Sequence, residues 1–223
     1  MNEIIRLENV VWMTQDWRAV NGISCRIQEN ERVAFCGGSG SGKDALIRLI
    51  AGMDKPSSGS VWVLNQAVHE MSSAKAAAFR NRYIGVIQRD AGFMEGMSVA
   101  ENILLPLVIR GARRSQQRKA ADDLLKMLGI CHVAQALPAQ LSAYEARAAC
   151  IARALITKPK ILLLNEITSR LSERDAEKIT GTIRVVAEYG DFTMLWFSDS
   201  ADNTHDSHRT IYLENGKIRE DMK

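Results

Sequence analysis

The segment from Arg32 to Lys43 restricts the fold of this chain more than any other. Arg32 to Cys36, RVAFC, reads as a short apolar strand. It runs directly into Gly37-Gly38-Ser39-Gly40-Ser41-Gly42-Lys43, and Ala45 to Ala51 follows as a short apolar helix closed by Gly52. Strand, glycine loop, lysine and helix thus stand in the order that the G-x-x-x-x-G-K phosphate loop requires. Glycines let successive backbone N–H groups turn inward around an anion, and the helix N-terminus adds its dipole. Lys43 supplies a mobile positive charge for the outer phosphates. The position after the lysine, where a Ser or Thr hydroxyl would meet Mg²⁺, holds Asp44. A carboxylate is itself a good Mg²⁺ ligand, but it also sets negative charge beside the phosphates.

The rest of the sequence fits an α/β core. Ile4 to Val11, Val20 to Ile27, Ser60 to Leu64, Tyr83 to Ile87, Thr193 to Phe197 and Thr210 to Leu213 read as strands. Ile161 to Leu164 is a run of bare aliphatics, which suggests a strand buried on both faces of a parallel sheet. Between them lies a mainly helical block. Ser73 is expected to cap a helix through Arg80, and further helices are expected over Ser98 to Ile109, Ser115 to Leu128 and Ser142 to Leu155. Ser142 and Glu145 have capping-box spacing, and Ser172 to Glu188 reads as a later helix. The expected organisation is a single domain, with an α/β core over residues 1–87 and 158–223 and a helical subdomain over 88–157.

The net charge of +3 comes without a long basic run, which argues against nucleic acid as a partner. No stretch reaches the roughly 18 apolar residues that a membrane span needs, and MNEIIRLENV lacks a signal pattern. A cytoplasmic protein is expected, and any membrane work would need a partner to supply the span. Cys25, Cys36, Cys131 and Cys150 lack metal-type spacing and read as reduced thiols.

Several segments together carry a family likeness. These are the phosphate loop, Leu46 to Gly59 (LIRLIAGMDKPSSG), Ala100 to Leu107 (AENILLPL), Pro138 to Ser142 with Ile151 to Leu155, Lys158 to Thr168, and Leu213 to Ile218. In this order and spacing the chain resembles the ATP-binding subunits of ABC transporters, a P-loop NTPase fold with a mixed β core, an inserted helical subdomain and an N-terminal antiparallel β part. The ENILLPL segment is similar to the lipoprotein-release, macrolide-export and cell-division branch. The resemblance implies ATP as ligand with Mg²⁺, a second such subunit, identical or related, and a membrane permease. It places the chain on the inner face of the cytoplasmic membrane, and it makes Trp12 or Trp17 the adenine-stacking aromatic.

The same resemblance exposes departures at each catalytic station. Arg89 stands at the family's Q-loop glutamine, with Gln88 one residue early. The signature L-S-G-G-Q is Leu141-Ser142-Ala143-Tyr144-Glu145, in which two glycines are lost and an anion is added. The metal-facing Walker B aspartate is Asn165, while Glu166 remains at the position of the general base. The D-loop aspartate is Ser172. Counting back from Gly216 puts Asp199 at the switch histidine, with His205 as the less favoured alternative. Asp44 and Asn165 read either as a carboxylate moved across the metal site or as two independent losses. Removal of one preorganised group typically costs about 10²–10³ in rate. The expectation is therefore nucleotide binding with very slow or absent hydrolysis. A working ATPase of unusual chemistry and a soluble regulatory protein are the alternatives.

Overall fold

The computed structural model describes residues 2–14, 17–200 and 207–219. In chain order the elements are β1 (Glu3–Met13), β2 (Arg18–Gln28), β3 (Arg32–Cys36), α1 (Lys43–Ile50), β4 (Ser58–Val63), β5 (Gln66–Ala67), α2 (Ser73–Tyr83), β6 (Ile84–Ile87), α3 (Val99–Ile109), α4 (Arg114–Met127), α5 (Ala143–Leu155), β7 (Ile161–Asn165), α6 (Glu173–Tyr189), β8 (Thr193–Ser198), β9 (Arg209–Glu214) and β10 (Lys217–Ile218). They fall into two compact units, Met1–Arg80 with Leu163–Asn165 and Asp191–Lys223, and Asn81–Leu162 with Glu166–Gly190.

The first unit holds an antiparallel sheet in the order β2-β1-β4-β5. Its apolar positions, Ile5, Leu7, Val10, Val20, Ile23, Ile27, Val61 and Val63, are all buried. A second sheet in this unit runs β10-β9-β3-β8, with the end of β7 beside β8. β3 pairs in parallel with both β8 and β9. All six residues of β8 are buried, as a strand covered on both faces requires. Phe35 and Phe197 sit opposite each other in the β3–β8 register and stack with ring centroids 4.9 Å apart. Parallel alignment of β3 and β8 delivers Cys36 and Ser198 to the carboxyl ends of their strands, where open α/β sheets place their ligand crevices.

The second unit contains α3 to α6. Ser98 caps α3 and Ser142 caps α5, each in a capping box with a glutamate three residues on. Ser172 caps α6 through the amide of Asp175. Arg147 and Ala148 to Ala152 of α5 are buried, and that face packs on β6 and α3.

Three local expectations change. The cap of α2 is Ser72, whose hydroxyl accepts from the Lys75 amide, and Ser73 is already helical. Tyr83 ends that helix instead of opening β6. α4 begins at Arg114 behind Arg113, with no side-chain cap, so Ser115 is inside the first turn. At α2 a second serine stands one position before the expected cap, and hydroxyl spacing alone does not separate the two; at α4 the N-cap position falls on Arg113, two residues before Ser115.

Candidate functional site

The glycine loop is pinned at several points. The amide of Gly37 donates to Ser198 O of β8 over 3.1 Å, Ser41 N donates to Gly38 O over 3.2 Å, and Gly216 N donates to Ser41 O over 3.2 Å. Gly42 is the N-cap of α1 and adopts φ 99°. A Cβ there would overlap the Ala19 carbonyl oxygen, so both the conformation and the space demand glycine. The first turn of α1 leaves N–H groups without intrahelical partners, and their dipole favours an anion at the loop. Ser41 is only 5% exposed, and its hydroxyl has no hydrogen-bond partner among the described residues. It lines a cleft of about 360 Å³ together with Gly38, Ser39, Gly40 and Asp199.

Lys43 is not the mobile cation that the sequence suggested. Its side chain is 5% exposed, and Nζ donates to Gly37 O, to Gly38 O over 3.2 Å and to Asp199 Oδ1 over 2.6 Å. An ammonium has three protons, and three acceptors in this unit meet them. Asp199 is the residue assigned by counting to the switch-histidine position. The alternative, His205, lies outside the described residues.

Asp44 and Asn165 also meet. Asn165 Nδ2 donates to Asp44 Oδ1 over 2.7 Å. That bond orients the amide and leaves Asn165 Oδ1 buried with no donor among the described residues. Asp44 is exposed and a carboxylate is a suitable ligand type for a hard cation, whereas the amide presents its N–H to that carboxylate and keeps its oxygen buried. Among the described residues, no group of three or more His, Cys, Asp or Glu side chains is placed to hold a metal by itself.

In the second unit, Glu166 follows Asn165 directly and adopts φ 46°, a left-handed conformation that side chains resist. Its carbonyl is held by Ser169, through the amide at 3.1 Å and the hydroxyl at 2.8 Å. Its carboxylate faces Arg89 Nη1 at 3.4 Å. The residue at the Q-loop position thus neutralises the residue at the general-base position. Gln88 and Arg89 are both exposed at the end of β6, and Arg147 Nη1 donates to Gln88 O over 2.6 Å.

The segment Leu141 to Glu145 is ordered by its capping box. Glu145 accepts from the Ser142 amide at 2.8 Å and from the Ser142 hydroxyl at 2.7 Å, and His132 Nε2 lies 2.7 Å from its other oxygen. The capping box expected from the Ser142–Glu145 spacing is thus present at the start of α5. The Ser142 bonds, with a smaller contribution from His132, hold its pKa below the usual carboxylate range. Ala143 is exposed, and Tyr144 is half-buried with Lys178 of α6 lying 5.3 Å from its ring centroid. Ser172 is exposed and serves as the cap of α6. Of the two aromatics, Trp12 is half-buried in β1 opposite Val20, and Trp17 is 47% exposed at the bend before β2.

Sequence reasoning identified the substituted positions but not their pairings. Lys43 with Asp199 and Arg89 with Glu166 each join residues more than 70 positions apart. The only sequence signal for them was charge complementarity between an altered residue and a retained one.

The geometry defines a P-loop α/β fold with its anion site at the strand ends. Residues 20–169 match the family model described as ABC transporter, and the chain belongs to that family. The lipoprotein-releasing system ATP-binding protein LolD of Chromohalobacter salexigens is 31% identical over 93% of this chain and 87% of its own length. The LolD protein of Pseudoalteromonas translucida is 31% identical over 98% and 96%. Among solved structures, the dimeric post-hydrolysis state of the ATP-binding cassette MJ0796 bound to ADP and Pi superposes with a TM-score of 0.90. It is 28% identical, covering 99% of this chain and 98% of that one. Among the described residues, no helix is long and apolar enough to cross a membrane.

Proposed function

We propose that this chain is the nucleotide-binding subunit of an ABC transporter of the lipoprotein-release type. It docks on a membrane permease of the macrolide-export or cell-division kind, pairs with a second cassette, binds ATP, and hydrolyses it very slowly or not at all. The observation that carries the proposal is the contrast, within the first unit, between an intact phosphate loop and a Lys43 already paired with Asp199. Residues Gly37 to Lys43 form the phosphate cradle, and Asp44 is the ligand for Mg²⁺, which when bound neutralises phosphate charge. Trp12 or Trp17 covers the adenine. The segment over 88–157 acts as the helical subdomain and carries the altered signature, Leu141 to Glu145.

Glu166 is the one candidate general base. Arg89 Nη1 lies 3.4 Å from its carboxylate in an ion pair, so the side chain is engaged by a neighbour where the base would have to face water. The glutamine, the switch histidine and the metal aspartate are replaced together. Such losses are not additive, yet one suffices for a rate lower by about 10²–10³. The relatives' name, lipoprotein-releasing system ATP-binding protein, supports the transport context.

A second reading keeps turnover and makes the chain a motor of export or lipoprotein release. The retained Glu166 and the exposed carboxylate of Asp44 after the loop lysine favour it. Fluorescent-nucleotide titration of the purified chain tests the binding half of the proposal. Saturable ATP binding that Lys43→Ala weakens by tenfold or more is expected. A titration without saturation for ADP and ATP alike would overturn it.

A further inference from the structure

The Lys43–Asp199 pair has a consequence for which nucleotide the cleft accepts, and this consequence rests on the nucleotide-binding reading above. Lys43 Nζ is surrounded by two carbonyl oxygens, from Gly37 and Gly38, and by Asp199 Oδ1 at 2.6 Å. The two carbonyls belong to the pinned loop and cannot leave without unmaking it. Asp199 is 62% exposed, just past the end of β8, and is the one side chain among these three partners.

The anion-binding features of the loop divide accordingly. Backbone amides of the glycine run and of the first turn of α1 serve phosphates seated in the cradle, and the buried Ser41 hydroxyl, without a partner among the described residues, lines the same cleft. The lysine of such a loop reaches the β- and γ-phosphates, so a triphosphate brings one more anionic group to it than a diphosphate does. Here it meets an ammonium already neutralised, and a carboxylate of its own sign. A diphosphate does not bring that last charge to Asp199.

We propose that Asp199 is a specificity-determining residue that discriminates against the terminal phosphate, so that the loop of this chain favours nucleoside diphosphates over triphosphates. Asp199 stands in for the terminal phosphate when none is present: it is an anion held to the same lysine from the end of the neighbouring strand. Nucleotide exchange at this site is then biased toward retention of the diphosphate, whether that is taken up directly or left by a partner subunit's chemistry.

The test is the ratio of ADP to ATP affinity, measured by calorimetric titration in EDTA on the wild-type chain and on Asp199→Asn. The amide keeps an oxygen for Lys43 and removes the charge, and the exposed position makes it a mild change to the fold. Far-UV circular dichroism checks that the fold is kept. ATP binding is expected to tighten by about tenfold in the variant and ADP binding by less than about threefold, since one unit charge a few ångströms away acts mainly on the terminal phosphate. Equal tightening of both nucleotides, or no change in either, would overturn the discrimination while leaving nucleotide binding in place. Absence of binding for both nucleotides to both proteins would instead remove the nucleotide-binding reading, and this inference with it.

Discussion

Replacing Asn165 with aspartate would bring the family's usual residue back and set it against Asp44. The amide nitrogen now donates to Asp44 Oδ1 over 2.7 Å. In the variant that donor becomes a second carboxylate oxygen. Two unit charges about 4 Å apart repel by about 4 kcal/mol at an effective dielectric near 20. Asp44 is exposed, and solvent and salt reduce the repulsion to about 1–2 kcal/mol. Loss of the charge-assisted hydrogen bond adds about 1.5 kcal/mol. For a chain of 223 residues, each kcal/mol moves the thermal midpoint by about 2–4 °C, so the variant should melt about 6–10 °C lower in EDTA at pH 7. Excess Mg²⁺ should recover most of that loss, because two facing carboxylates bind a hard cation well. Asp44→Ser in the same background should recover it without metal. Differential scanning fluorimetry with and without Mg²⁺ reads all of these effects. A midpoint in EDTA within about 1 °C of wild type would refute the electrostatic coupling, and Asp44 and Asn165 would then be two independent losses.

Other expectations follow from single sites. Gly42→Ala, at φ 99° with its new methyl against the Ala19 carbonyl, should cost about 2–3 kcal/mol, read by urea unfolding. Ser142→Ala should cost about 1 kcal/mol through the lost cap of α5. Glu145 has a lowered folded pKa, so its contribution is complete above the unfolded value of about 4.3 and is lost as pH falls through the folded one. The penalty of Ser142→Ala should therefore shrink in unfolding measured at progressively lower pH below about 4. Burial pushes the Cys25 thiol up to about 12, and Cys36 and Cys150 are buried while Cys131 is exposed. Because the thiolate is the reactive form, mass spectrometry after iodoacetamide at pH 8 should find Cys131 modified first.

The fold was legible because its signals are strong and local. The glycine loop between strand and helix, the aliphatic run Ile161 to Leu164, and the serine–glutamate cap at Ser142 each report their own backbone. Helix starts with neighbouring serines, as at Ser72 and Ser73, were not resolved, since either hydroxyl can serve. In the site, the substituted positions could be read by alignment with the family pattern, but their consequences could not. Asp199 was legible as an anion in place of a histidine. That it reaches Lys43 depends on β8 lying beside β3 in parallel register, which no local pattern encodes. Glu145 was legible as the capping-box partner of Ser142, which it is, but the approach of His132 to its other oxygen was not. Arg89 was read as a missing glutamine, and its pairing with Glu166 required the positions of both strand ends.

The central claim is that the cradle survives while the groups that would drive cleavage are engaged with one another. It is tested most directly by steady-state phosphate release from the chain assembled with its permease and second cassette, at saturating ATP and Mg²⁺. Glu166→Gln introduced into this chain alone isolates the contribution of its own site. The account predicts that the rate of the assembly is unchanged by that substitution, while ATP binding by the chain is retained. A rate that falls a hundredfold or more when Glu166 alone is altered would contradict it.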